Sequence, residues 1–121
     1  MTRGTPEEPA RPAKSPERAL ADMLGLAARA GGLAHGTGAT REGVRDGEVR
    51  VVLLAGDAAP AQARKLVPLL QARGVPFHVC LSRNELGGAI GRGPVSALGI
   101  TNDSFARRAA ELVAALQSSQ G

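Results

Sequence analysis

The segment VRVVLLAG, Val49 to Gly56, sets the terms for the rest of the chain. It is apolar and rich in β-branched residues, and it is too short for a buried helix, so it reads as a strand. Its apolar residues are consecutive rather than alternating, so both faces of that strand must be covered, as in a sheet held between helices. VPFHVCL, Val75 to Leu81, reads as a second buried strand, and PVSALGIT, Pro94 to Thr101, as the last one. Leu33 to His35 is a further short candidate.

The intervening segments supply the cover. Leu20, Met23, Leu24, Ala27 and Ala28 recur at helical spacing from Glu17 until Gly31 and Gly32 end the pattern. Thr37 to Asp46 is a weaker helix closed by Gly47. Pro60 suits a first helical turn, and Ala63, Leu66, Val67 and Leu70 form a stripe ending near Gly74, with Pro68 predicting a bend inside it. Ser82 and Glu85 have the spacing of a capping box that opens a helix through Ile90. Asn102 or Asp103 caps a terminal helix whose Phe105, Ala109, Leu112, Val113 and Leu116 share one face. Helices alternating with strands predict an α/β fold, a three-layer α/β/α sandwich with a central mixed sheet of about four strands. Residues 1–16 hold half of the chain's 8 prolines and both signs of charge, and read as a disordered N-terminal arm ahead of one folded domain, 17–121.

Composition narrows the function. No stretch approaches the ~18 consecutive apolar residues of a membrane span, and the first residues lack the apolar block of a secretory signal. The single cysteine, Cys80, can form no internal disulfide and no zinc site by itself. A reducing cytoplasm is the expected compartment. Fifteen Lys and Arg against 11 Asp and Glu give a net charge of +4, which suits a polyanion partner. Since only two of these cations, Lys14 and Lys65, are lysines, a GC-rich codon pool is the competing explanation. With no Trp or Tyr and only Phe77 and Phe105, the chain lacks the stacking platforms of open-strand readers.

Two glycine-rich segments are the candidate site. GGLAHGTGAT, Gly31 to Thr40, ends at a helix start, whose unpaired N–H groups can hold an anion; the simpler reading is a tight corner. It has neither the Gly-Lys-Ser/Thr of a Walker loop nor the strand-turn-helix context of a dinucleotide fingerprint. LGGAIGRGP, Leu86 to Pro94, carries Arg92 in a loop expected at the same end of the sheet, either as a binding residue or as a solvated charge. No catalytic constellation is present: Ser82, Ser96, Ser104, His35 and His78 match no nucleophile or metal-ligand spacing. His78 reads as a core or sheet-edge histidine, Cys80 as an inert buried thiol, and Asp57 as a turn or cap residue ahead of Pro60.

Taken in order, LGLAARAGGLAHG, VRVVLLAGDAA, LVPLLQARGVPF, SRNELGGAIGR and ALGITNDSFA resemble the bacterial YlxQ-type branch of the ribosomal-protein superfamily that includes the archaeal kink-turn binders and eukaryotic ribosomal protein L-thirty-e. The resemblance runs from about Leu20 to Leu116. It implies the three-layer fold, no catalysis, no cofactor or small-molecule substrate, and a structured RNA partner, kinked or with an internal loop. Ribosomal RNA is among the candidates, and a monomer is the expected state. In the kink-turn binders an Asn, a Glu and a Lys at the start of the second helix read guanines. Here Gly38, Ala39 and Glu42 stand at those positions, while Gly36 and Thr37 agree with the family pattern. Losing bidentate base contacts removes about 1–3 kcal/mol of discrimination each but leaves phosphate contacts in place. The implied RNA contacts are therefore Gly36, Thr37, Gly38, Thr40, Arg41 and Arg45, faced by the loop Arg92, Gly93, Pro94 and Val95. A protein-interaction module that kept the fold after losing its RNA contacts is the alternative; a nucleotide-dependent enzyme would rest on the glycine turns alone.

Overall fold

The computed structural model describes residues 15–120, which form five helices and four strands. The arm expected over residues 1–16 lies, up to residue 14, outside the described residues. Its last two positions belong to the first helix instead. Ser15 caps α1 (Pro16–Arg29), its hydroxyl accepting from the Arg18 N–H at 3.1 Å, and Pro16 sits in the first turn, where no N–H is needed. The chain continues through β1 (Leu33–His35), α2 (Thr37–Arg45), β2 (Val51–Leu54), α3 (Pro60–Arg73), β3 (Phe77–Val79), α4 (Arg83–Ala89), β4 (Ala97–Ile100) and α5 (Asp103–Gln120). Helix α3 runs on through Pro68.

The strands form one sheet in the order β1-β4-β2-β3. β4 is antiparallel to both β1 and β2, and β2 is parallel to β3, so the sheet is mixed as expected. The central strands β2 and β4 are buried along their whole length, and their side chains part alternately to the two faces. Val51, Leu53, Leu98 and Ile100 join Leu20, Leu24, Leu86, Ala109 and Val113 in a core under α1, α4 and α5. Val52, Leu54 and Ala97 join Val44, Leu66 and Leu70 in a second core under α2 and α3. This is the α/β/α sandwich. Helix α2 lies close on β4 because Gly99 has no side chain there: an added Cβ would come within 2.9 Å of Val49 Cγ2 and 3.2 Å of Thr40 Cγ2.

The segment from Val75 to Leu81 is not buried on both faces. Only Phe77–Val79 are in strand conformation, they pair with β2 alone at the sheet edge, and Val79 is 54 % exposed. An apolar run marks a strand; its place in the sheet depends on which other strands pair with it. His78 is accordingly half-buried in the edge strand. Cys80 is buried, and removal from water, with the Glu85 carboxylate nearby, pushes its thiol up to about 11, so it is inert.

Candidate nucleic-acid interface

Helix α2 begins without help from a side chain. Gly36 is its N-cap with φ 92°, a conformation that a residue with a Cβ rarely adopts, and no side chain accepts from the first-turn N–H groups of Thr37, Gly38 and Ala39. The Gly36 N–H itself donates to the Ala97 carbonyl at 2.9 Å, extending the β1–β4 ladder by one bond. The start of α2 is thereby fixed beside the start of β4. The loop that carries Arg92 runs directly into that strand.

The Arg92 loop is held just as firmly. Its helix, α4, has the capping box read from the sequence: the Ser82 hydroxyl accepts from the Glu85 N–H at 3.1 Å, and the Glu85 carboxylate accepts from the Ser82 N–H at 2.8 Å. Asp57 serves the same helix start rather than the one ahead of Pro60. Its carboxylate accepts from the Arg83 N–H at 2.8 Å and faces the Arg83 Nε at 3.6 Å. The backbone N–H of Arg83, then Asp57's own backbone N–H and the Arg83 charge, hold the Asp57 carboxyl below its usual value. At the far end of α4 the chain folds back on Gly87, whose carbonyl accepts from the Arg92 N–H at 2.8 Å. A Cβ on Gly87 would overlap the Gly93 carbonyl, so the loop can take this path only because that position is glycine. The Val95 N–H closes it by donating to the Arg83 carbonyl at 3.0 Å.

An open groove of about 730 Å³ lies between the last turn of α1, β1 and the end of α4 with its Arg92 loop. Arg29 from the last turn of α1, His35 from β1 and Arg92 from the α4–β4 loop line it, with Leu33 and Ile90 as apolar wall and Gly25, Gly88 and Gly91 where side chains are absent. No lining residue is acidic. Among the described residues, four other arginines face carboxylates: Arg18 with Asp22, Arg50 with Asp103, Arg83 with Asp57 and Arg108 with Glu111. Neither Arg29 nor Arg92 has such a partner among them.

The expected site residues divide accordingly. Gly36, Thr37, Gly38, Arg92, Gly93 and Pro94 are on accessible surface at neighbouring chain turns. Thr40 is 0 % exposed and its hydroxyl faces the Ala34 carbonyl at 3.4 Å, so it packs against the sheet and cannot touch RNA. Val95 is 8 % exposed and belongs to the core under α1, α4 and α5; it is no contact for an extruded base. Arg41 donates its Nε to the Lys65 carbonyl of α3 at 3.2 Å, which ties it to that helix. Arg45 lies at the opposite end of α2, about 12 Å along the axis from Thr37, so it is not part of the ledge at the helix start. Arg29 and His35 were not among the expected contacts, although both fall in the motif LGLAARAGGLAHG. Only tertiary packing puts them beside Arg92.

A family model described as ribosomal protein L7Ae/L30e/S12e/Gadd45 matches residues 18–110. The chain belongs to the ribosomal protein L7Ae/L30e/S12e/Gadd45 family. Among the relatives of this L7Ae-family chain, the RNA-binding protein YlxQ of Enterococcus faecium is 30 % identical over 92 residues, spanning 76 % of this chain and 88 % of that protein. A protein of unknown function from Bacillus halodurans C has a solved structure that matches with a TM-score of 0.74 at 33 % identity, over 78 % of this chain and 95 % of that one. The Giardia lamblia 15.5kD RNA binding protein matches with a TM-score of 0.68 at 23 % identity, over 95 % and 98 % of the two chains, a likeness of fold. Within the L7Ae family frame, the position of Gly38 is open: nothing lies within 4 Å of a Cβ built there.

No helix among the described residues is long and apolar enough to cross a membrane, and no group of three or more His, Cys, Asp or Glu among them could hold a metal ion.

Proposed function

We propose that this L7Ae-family chain is a non-catalytic protein that binds structured RNA, kinked or carrying an internal loop, through the start of α2 and the Arg92 loop. The domain expected over 17–121 is then the RNA-binding domain, and the ribosomal proteins of the family make a translation-associated RNA in the cytoplasm the natural target. One observation carries this: the Arg92 loop borders a groove that no carboxylate lines, and the strand it runs into, β4, holds the uncapped N-terminus of α2 through the Gly36 N–H bond to the Ala97 carbonyl. Backbone N–H groups at a helix start and a guanidinium fork are both matched to phosphate oxygens. The relative YlxQ, called an RNA-binding protein, supports the same reading.

With Gly38, Ala39 and Glu42 in place of the guanine-reading side chains, recognition rests on RNA shape and backbone rather than on base edges. The test is fluorescence anisotropy with hairpins that carry an internal loop, titrated across salt concentrations. Binding should weaken with salt, and Arg92→Ala should lower the log–log slope by about one. Salt-independent binding, or none to any internal-loop hairpin, removes the proposal. A protein partner captured from nuclease-treated extract and indifferent to Arg92→Ala would favour a protein-interaction module instead.

A further inference from the structure

The α2 helix start does not account for the groove, since none of its residues lines it. Arg29 reaches it from the last turn of α1. Helix α1 meets α4 at Gly25, where an added Cβ would lie 3.0 Å from the Ala89 carbonyl and 3.6 Å from Arg29 Nη1. The Arg29 side chain therefore folds back along its own helix toward the seam with α4, and the glycine leaves room for it there. His35, one residue before the Gly36 cap of α2, stands between the two arginines in the chain's path and borders the same space. The groove thus collects two guanidinium groups and an imidazole, with no carboxylate lining it and, among the described residues, none paired to either arginine. Like charges brought together without an acid repel one another until an anion arrives, and a concave surface strengthens that attraction. Its volume, about 730 Å³, is of the size that takes a nucleotide.

We infer that Arg29 is a further RNA-contacting residue: it and Arg92, lining one groove, hold one phosphodiester of the bound strand. This rests on the RNA-binding reading above. A purely structural role for Arg29 is the competing explanation, since a cation in the last turn of α1 favours the helix dipole. Arg29→Lys separates the two, because it keeps the charge at the helix end but loses the planar fork.

The experiment uses the full chain and a fluorescein-labelled RNA hairpin with an asymmetric internal loop between two stems. Arg29→Ala and Arg92→Ala should each weaken binding on the order of tenfold and lower the salt slope by about one. The double variant should lose less than the product of the two, since both act on one phosphate. Arg29→Lys should melt with the unaltered protein and still bind more weakly. A scan of single methylphosphonates should find one phosphate whose neutralisation weakens the unaltered protein but leaves Arg29→Ala unchanged. If Arg29→Ala binds as tightly as the unaltered protein with the same slope, while Arg92→Ala is impaired, the inference fails and the RNA-binding reading stands. If Arg29→Ala loses affinity only in step with its melting temperature, and Arg29→Lys binds normally, Arg29 is structural. Absence of binding by the unaltered protein overturns both.

Discussion

Gly87→Ala places one methyl group where the α4–β4 loop now runs. The residue is helical and buried, so its backbone suits alanine, and in open space the exchange would stabilise α4 by roughly 0.5–1 kcal/mol. Space is what is missing: the new Cβ would overlap the Gly93 carbonyl and sit 3.1 Å from the Arg92 carbonyl. Backbone on one side and a core-facing helix on the other leave no flexible side chain to yield. Overpacking of this kind costs about 1–3 kcal/mol, and the Arg92 N–H bond to Gly87, worth about 0.5–1.5 kcal/mol, is lost if the loop swings out. The net expectation is a destabilisation of about 1–3 kcal/mol, read from urea unfolding, with RNA affinity falling further because Arg92 is displaced. Gly88→Ala is the control for stability. It is the next residue of the same helix, exposed, with nothing within 4 Å of its Cβ, and should be more stable by roughly 0.5–1 kcal/mol. Equal unfolding midpoints for the two variants would show that the loop is not pinned on Gly87.

Three further outcomes follow from the same geometry. Gly38→Asn with Ala39→Glu and Glu42→Lys restores the side chains implied for guanine reading at a position with open space. It should raise discrimination between hairpins with and without tandem G·A pairs by about 1–3 kcal/mol for each guanine that a restored side chain reads, and unchanged selectivity in anisotropy titrations would mean that α2 does not face the bases. The Asp57 carboxyl, held below its usual 3.8, stabilises the fold at pH values above 3.8 and loses that contribution as pH falls through its lowered value. A carbon-detected NMR titration should show the low midpoint, and Asp57→Asn should flatten the acid limb of the stability curve. Cys80, pushed up to about 11 from 9.0, contributes stability below pH 9.0 that disappears as pH rises toward 11. Iodoacetamide should label it slowly in the folded protein and rapidly in urea; fast labelling without denaturant would contradict its burial.

Most of the architecture was legible because it depends on local pattern. The consecutive apolar residues of Val51 to Leu54 demand two covered faces wherever they are placed, and both central strands have them. The capping box at Ser82 and Glu85 formed as read because both partners lie within one helical turn. Asn102 rather than Asp103 caps α5, its side chain accepting from the Phe105 N–H at 3.0 Å, a choice between adjacent residues that spacing alone leaves open. Asp57 was a cap residue, as its position suggested, yet for α4 across the sheet and not for the helix beside it.

The candidate site was legible only in part. Glycines mark where the chain turns, so the start of α2 and the Arg92 loop stood out, and the bond between Gly36 and Ala97 ties the first to the strand that the second runs into. Thr40 and Val95 were among the expected contacts too, but a residue one turn into a helix or two residues before a strand is already under the core's cover, and no linear pattern separates it from its exposed neighbours. Local periodicity and turn chemistry determined which segments became helices and strands, since both act over a few residues of chain. Which strand became the edge, which site residues went inside, and which arginines came to line one groove were decided by packing between distant segments, because burial and electrostatic fields depend on distance through space and not along the chain.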